Sequence, residues 1–348
     1  MSGDVRFSII LPVCHGGTFL KSALRSLDKM DYPPELFEVR IAVQADDSVS
    51  QAIITEESSR MKAAVTYIET DTKNRSAMLN LSINEARGRV LVFADDDCIF
   101  LSDWLNNIDS VLAQEHNVGV VGGQDIQAEN ESSFNLALDH IFNSFIGTGG
   151  LRRGIGQRVG KYYPKLWNMA IPREIADHVA SKTSNGLSHV FDESLTVHED
   201  VELVSRIEQL GKLIVYAPEV RVLHSRDTTL PSFVMRNFNM ARTSRSIGVH
   251  MLPHSVLSIF MLGMPGIFLS STYFHPLRNV FVVVMMCYGL ILLYGALGGL
   301  YRTKRFSVVA YVPVLLMSIH FARGLGFLFP WRKSRSSTFN KLSAFGKE

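Results

Sequence analysis

The hydrophobic pattern of the first hundred residues alternates between two periods. Residues 6–13 (RFSIILPV) form a short β-rich apolar run closed by Gly16 and Gly17, and 19–30 then place Leu20, Ala23, Leu24 and Leu27 on one helical face. The alternation repeats. Strands are predicted over 38–43, 64–68 and 89–94, and helices over 50–62 and 75–86, with Pro33-Pro34 and Gly88 as breaks. Further along, 118–123, 212–216 and 220–223 read as strands, the last ending at His224, and 199–210 as a helix closed by Gly211. Strand and helix in turn predict an α/β domain on a mostly parallel sheet.

After about residue 250 the pattern changes. Three long apolar stretches follow, 254–274, 279–301 and 306–329; no Asp, Glu, Lys or Arg lies between Ser246 and Leu277, and beyond Asp227 the one carboxylic side chain is Glu348. Runs of ~20 apolar residues have the length of a bilayer-crossing helix. The first two stretches fit that description directly. The third carries His320 and Arg323, and a buried Arg is costly at mid-bilayer, so it is expected to be re-entrant, interfacial or packed against protein.

Bulk composition changes the picture little. The net charge of +2 gives no reason to expect a nucleic-acid partner. Cys14, Cys98 and Cys287 contain no CxxC spacing, so neither a zinc knuckle nor a disulfide framework is supported. The run at 7–13 is too short for a signal peptide, which places the α/β part in a reducing, cytosolic setting.

The candidate chemistry lies at strand ends, where open α/β sheets bind ligands. One predicted strand runs into Asp46-Asp47-Ser48 and another into Asp95-Asp96-Asp97. Carboxylates gathered there repel one another unless a divalent cation joins them. Either run could instead serve as a turn or helix cap.

The order of these motifs resembles family 2 glycosyltransferases of the GT-A fold, from about Phe7 to His224. ILPVCHGG resembles the family's first nucleotide-binding strand, which brings Pro12 into the donor-contacting set, and AVQADDSVS resembles the second. NRSAMLNLSINEARGRVLVFADDDC resembles the approach to a metal-binding DxD, and FDESLTVHEDVELVSRIEQLGKLIVYAPEVRVLH the acceptor-side block. Each motif alone is weak, and four in order are strong. The resemblance implies a GT-A (Rossmann-like) fold and an inverting transfer from a nucleotide sugar, UDP-linked by family habit. Asp97 would bind Mg²⁺ or Mn²⁺, with Asp95 on ribose or a metal-bound water, and His224 joining the metal or diphosphate. Asp46 or Asp47 would hold the nucleoside, with the choice open because Gln44-Ala45 shifts the register. Asp96 and Arg75 fall in the donor set, Asn80 matches a recurrent helix Asn, and Trp167-Asn168 open a segment like the family's acceptor side. Asp200 would be the base, since single displacement needs one base, and Glu199 would orient the acceptor. Structural readings compete for several of these: a solvated charge for Arg75, core packing for Trp167, a dipole-favoured helix start for Glu199-Asp200.

The resulting domain scheme is a GT-A domain over 1–230, an interfacial amphipathic linker over 231–250, membrane helices with two or three spans over 251–330, and a basic tail over 331–348. The linker carries Arg236, Arg242 and Arg245, suited to lipid or donor phosphates, and residues 147–160 are rich in Gly and Arg, as a mobile loop would be. Basic clusters at Arg302, Lys304, Arg305 and at Arg332, Lys333, Arg335 both favour the cytoplasmic side. Two crossings plus a re-entrant third segment satisfy both, with the catalytic domain cytoplasmic at the inner membrane. No QxxRW motif is present, which argues against a processive polysaccharide synthase. An anchored site suits a lipid-linked glycan acceptor in surface or exopolysaccharide synthesis. A catalytically inactive sugar-nucleotide-binding subunit is the remaining alternative.

Overall fold

The computed structural model describes residues 4–127, 132–148, 162–182, 186–224, 228–249 and 251–329. The elements in chain order are β1 (Phe7–Pro12), α1 (Gly17–Leu27), β2 (Phe37–Gln44), α2 (Ser48–Ser58), β3 (Ala64–Thr70), α3 (Arg75–Glu85), β4 (Val90–Phe93), β5 (Cys98–Phe100), α4 (Trp104–Gln114) and β6 (Val118–Gln127). There follow α5 (Ser133–Phe142), α6 (Phe145–Thr148), β7 (Met169–Pro172), α7 (Arg173–Val179), β8 (Ser181–Lys182), β9 (Ser188–His189), α8 (Glu199–Gln209), β10 (Leu213–His224), α9 (Leu230–Ile247), α10 (Met251–Ser271), α11 (His275–Thr303) and α12 (Val308–Leu328). The chain divides into two compact units, one of 1–126 with 163–225 and the other of 127–162 with 226–332.

The first unit is a mixed α/β domain on one eight-stranded sheet of order β3-β2-β1-β4-β7-β6-β10-β5, with β8 and β9 as a separate hairpin. The predicted parallel character holds for β3, β2, β1 and β4. Beyond β4 the sheet turns antiparallel, at β4–β7, β7–β6 and β10–β5. Central β1 is buried at every position, which is why its sequence is a continuous apolar run instead of an alternation. The chain winds from β1 outward to β3, then returns to place β4 on the other flank of β1. That reversal opens a crevice between the carboxyl ends of β1 and β4.

Several elements carried no clear sequence signal: β5, α4, α5, β7 and α7. The two short strands near the domain's end are instead one, since β10 runs unbroken from Leu213 to His224 with Pro218 inside it.

In the second unit α12 is the central element, packed by α5, α9, α10 and α11. Ala137, Leu138, Ile141, Phe233, Val312, Leu315 and Ile319 form its buried core. Gly295 and Gly299 lie one turn apart on α11, and a Cβ at either would stand 2.7 Å from Leu316 or 3.0 Å from Val308 and Val312. Small residues at this spacing let two helices approach closely.

Two described helices are long and apolar enough to cross a membrane, α11 and α12. Large apolar side chains on α11 face outward, Leu290 at 64% and Tyr294 at 72% exposure. The third apolar stretch, set apart in the sequence by Arg323, is a continuous helix packed against protein. Arg323 donates through Nε to Asn237 Oδ1 at 3.0 Å and through Nη1 to the Gly147 carbonyl at 3.3 Å. The linker is the helix α9, and its Arg242 and Arg245 donate to the carbonyls of Phe329 and Phe327 at the end of α12. Those bonds satisfy carbonyls that a helix C-terminus leaves open. The basic tail and most of the predicted mobile loop lie outside the described residues.

Candidate active site

The site is built where the loops after β1 and β4 meet. Asp96, 1% exposed, turns its carboxylate into the β1–α1 loop. Its Oδ2 accepts the backbone N–H groups of Cys14, His15 and Gly16 at 2.9, 2.7 and 2.7 Å, and its Oδ1 lies 2.9 Å from His15 Nδ1. Grouped by sequence with donor contacts, Asp96 acts here through the loop it holds. Gly16 is required at its position: φ is +64°, and a Cβ would stand 2.5 Å from Ser50 Oγ and 3.6 Å from Asp47 Oδ2. The same loop thus reaches the second strand end. Asp47 caps α2 by accepting the Ser50 N–H at 3.0 Å, whereas Asp46 is 75% exposed. Pro12 closes buried β1 beside Ala42.

On either side of Asp96 the chain presents two different carboxylates. Asp95 is ion-paired with Arg75, and Arg75 Nη1 also donates to Glu199 Oε1 at 3.3 Å. Burial pushes the Asp95 carboxyl up against the pull of Arg75, and Asp97 adds to the rise. Arg75 is itself held above its ordinary value, because Asp95 and Glu199 outweigh the opposing effect of burial. Asp97 Oδ2 lies 3.2 Å from His224 Nε2 at the end of β10. Burial works against ionisation of Asp97, yet the His224 bond and charge hold its carboxyl below the usual range. His15 Nδ1 is 3.9 Å from the same Asp97 oxygen. The Asp96 bond raises the His15 imidazole to about 9, despite partial burial and with added help from Asp97.

α3 and α8 bring in the remaining groups. Asn80 on α3 donates to the Phe191 carbonyl at 3.0 Å and to Glu193 Oε1 at 2.9 Å, tying down the segment that leads into α8. His198, just before α8, adopts the left-handed region at φ 65°. Glu199 and Asp200 follow as the first residues of the helix, both buried. Asp200 Oδ1 accepts the Val201 N–H at 2.8 Å, and Oδ2 accepts from Lys165 Nζ at 2.8 Å. Burial opposes ionisation, but the charges of Lys165 and His198 bring the Asp200 carboxyl down to about 2.

Trp167 stacks on His224, centroids 4.4 Å apart at 21°, and donates through Nε1 to Asp125 Oδ1 at 2.8 Å. Asn168, 1% exposed, is not open to a ligand: it accepts from Trp104 Nε1 at 2.9 Å and donates to the Val220 carbonyl at 2.9 Å. It ties the turn at 166–168 into the core. Contacts therefore run from Gly16 through Asp96 and His15 to Asp97 and His224, and from Asp95 through Arg75 to Glu199, the neighbour of Asp200 in the chain. Reading the sequence missed His15, although it lay inside the quoted ILPVCHGG. It also missed Lys165 and Asp125, whose roles come from tertiary placement alone.

Residues 5–245 match the model of the family described as glycosyltransferase like family 2. The chain belongs to that family. Among curated relatives, the glycosyltransferase AglE of Haloferax volcanii is 25% identical over 218 residues, 62% of this chain and 66% of AglE. The poly(ribitol-phosphate) beta-N-acetylglucosaminyltransferase TarS of Staphylococcus aureus is 22% identical over 113 residues, 32% of this chain and 20% of TarS. The chain thus spans a fifth of TarS and just under two thirds of AglE. The mannosyltransferase PcManGT of Pyrobaculum calidifontis, solved with GDP-Man and Mn²⁺, superposes with a TM-score of 0.56 at 16% identity, over 91% of this chain and 86% of its own. That likeness gives this family 2 member the GT-A fold.

Two groups of side chains place ligand atoms close enough to hold a divalent ion. The ligand atoms of Asp97, His224 and Cys98 lie within 4.8 Å of one another, as do those of His15, Asp96 and Asp97. Among the described residues His224 Nδ1 is buried without a hydrogen-bond partner, while Nε2 is aimed at the carboxylate. With Asp96 occupied by the loop and Cys98 Sγ buried in the strand core, the carboxylate–imidazole pair Asp97–His224 is what remains for a cation. Such a pair fits Mn²⁺ at least as well as Mg²⁺.

Proposed function

We propose that this chain is an inverting, metal-dependent glycosyltransferase that moves a sugar from a nucleotide sugar, UDP-linked or GDP-linked, to a lipid-linked or other glycan acceptor. The observation that carries the reading is the division of labour among neighbouring carboxylates at the β1–β4 crevice. Asp96 builds the loop, Asp97 faces His224, and Asp95 reaches through Arg75 to Glu199 beside Asp200. Two relatives act as glycosyltransferases, and PcManGT was solved with a nucleotide sugar and Mn²⁺.

In this reading Asp97 and His224 hold the cation. When bound, it supplies positive charge to the diphosphate that leaves. Asp47, capping α2 next to Gly16, is the better placed of the two aspartates for the nucleoside. Arg75 holds Asp95 and Glu199 in register, and Glu199 orients the acceptor. Asp200 accepts the proton of the attacking hydroxyl: that oxygen bonds the anomeric carbon, and the bond to the diphosphate breaks with its electron pair on the diphosphate. One base suffices for one inverting displacement. Trp167, stacked on His224, lines the acceptor side.

We assign the second unit the role of membrane anchor, on the apolar surface of α11 and the length of α12. A tethered catalytic domain at the cytoplasmic membrane suits a lipid-linked acceptor. The deciding experiment is hydrolysis and binding of a panel of nucleotide sugars by the full chain with and without Mn²⁺. Metal-dependent turnover of one donor is expected. If no donor is turned over and no nucleotide binds in a metal-dependent way, the enzyme is an inactive subunit and the reading fails.

A further inference from the structure

We propose that Lys165 is the acceptor-recognition residue of this enzyme, a cation that exchanges the carboxylate of Asp200 for a phosphate carried by the acceptor. The inference rests on reading Asp200 as the base. Lys165 immediately precedes the turn Leu166–Asn168, which also sets Trp167 against His224. Its side chain is 16% exposed and that of Asp200 10%, so the 2.8 Å pair is largely shielded from water. An ammonium has three N–H donors. Among the described residues the bond to Asp200 Oδ2 is the one the Lys165 ammonium makes, leaving donors for a ligand's oxygens.

Charge balance during transfer identifies the ligand. As the acceptor's O–H bond breaks, its proton passes to Asp200 Oδ2 and the carboxylate becomes neutral. The shielded ammonium of Lys165 then loses its counter-charge at the step that must be fast, and an uncompensated buried charge is strongly unfavourable. The neighbouring carboxylate does not replace it, because Glu199 is bonded to Arg75. His198 also pulls the Asp200 carboxyl down, as a positive charge does, and so supplies no negative charge. An anionic group on the acceptor, close to the attacking hydroxyl, restores the balance. Phosphate fits best, since several oxygens can take up the remaining ammonium donors. A neutral acceptor leaves Lys165 stranded and is transferred to more slowly. Lys165 thus separates phosphorylated acceptors from neutral ones, whether the phosphate sits on a lipid or on a soluble polyol.

The test uses the full chain in detergent. With UDP and Mn²⁺ present, glycerol 3-phosphate and glycerol are titrated by calorimetry into wild type, K165M and K165R. Wild type is expected to prefer the phosphate ester by about tenfold or more; K165M loses that preference and K165R retains most of it. A phosphate preference that survives in K165M overturns the proposal, as does its absence in wild type. A second readout separates recognition from a structural role. Donor hydrolysis uses water, a neutral acceptor, so K165M should hydrolyse donor several-fold faster while its transfer to a phosphorylated acceptor falls. If the two rates change together, Lys165 is a structural strut. Vesicles with and without polyprenyl phosphate, set against glycerol 3-phosphate, distinguish a lipid source from a soluble one. Failure of wild type to turn over any donor removes the enzyme reading itself, and is distinguishable from a wild type that hydrolyses donor normally but ignores phosphate.

Discussion

Asp96 Oδ2 receives the backbone N–H of Gly16 at 2.7 Å, and that bond joins the two loops that face each other across the β1–β4 crevice. A carboxylate accepting three amide protons is a strong, directional clamp. It explains why the middle residue of the triplet Asp95-Asp96-Asp97 is the most buried of the three. Asp96→Asn removes the charge, leaves a neutral carbonyl oxygen for the three backbone N–H groups and turns an amide donor toward His15 Nδ1. A stability loss of about 1–3 kcal/mol is expected, with nucleotide affinity reduced at least tenfold. Denaturant unfolding and nucleotide titration measure the two. Unchanged affinity would show that the 14–16 loop does not meet the donor.

Asp97 and His224 are expected to act as a unit toward the cation. Asp97→Ala and His224→Ala should each weaken Mn²⁺-dependent nucleotide binding by one to two orders of magnitude, and the double variant should lose little more than the worse single one. Additive losses in that cycle would mean the two side chains do not share a ligand.

Asp200→Asn should keep donor and metal affinity near wild type and lose transfer by about 10²–10⁴, the range of a positioned base. Single-turnover assays with saturating donor check this. Transfer at the wild-type rate would remove Asp200 from the role.

The Asp200 carboxyl also contributes a pH-dependent part of stability. Its folded value of about 2 lies below the ordinary 3.8, so the stabilisation is fully present above pH 4. It is lost as pH falls from about 4 to about 2, and its size is on the order of 2 kcal/mol. Unfolding free energies of wild type and Asp200→Asn, measured across that window, should converge toward the acid end. Parallel curves would place the acid sensitivity elsewhere.

The second unit makes a separate prediction. If α11 and α12 lie in a bilayer, the chain should stay with membranes through high-salt and alkaline washes and come off only with detergent. Gly299→Leu should lower the thermal stability of the detergent-solubilised protein, because a side chain there collides with Val308 and Val312. Release by salt alone would contradict the anchor.

Much of this protein is legible in its chain. Apolar runs at 9–13 and 90–94 announce strands buried on both faces, and the spacing of Leu20, Ala23, Leu24 and Leu27 announces the helix that follows the first. Local chemistry likewise announces that the Asp runs stand at strand ends, and that a carboxylate pair opens α8. These are short-range facts, set by a strand's period of two, a helix's of 3.6 and the turn residues between. What each carboxylate does was decided only by tertiary structure. Asp95, Asp96 and Asp97 are equivalent as letters, yet one meets Arg75, one the amides of residues 14–16, and one His224, 127 positions further along. Lys165 and Asp200 meet from 35 residues apart, with β7, α7 and the β8–β9 hairpin between them. Successive side chains in the loop and turn after β4 point different ways, so their partners are chosen by which elements the sheet order places on each side. No local pattern encodes that order.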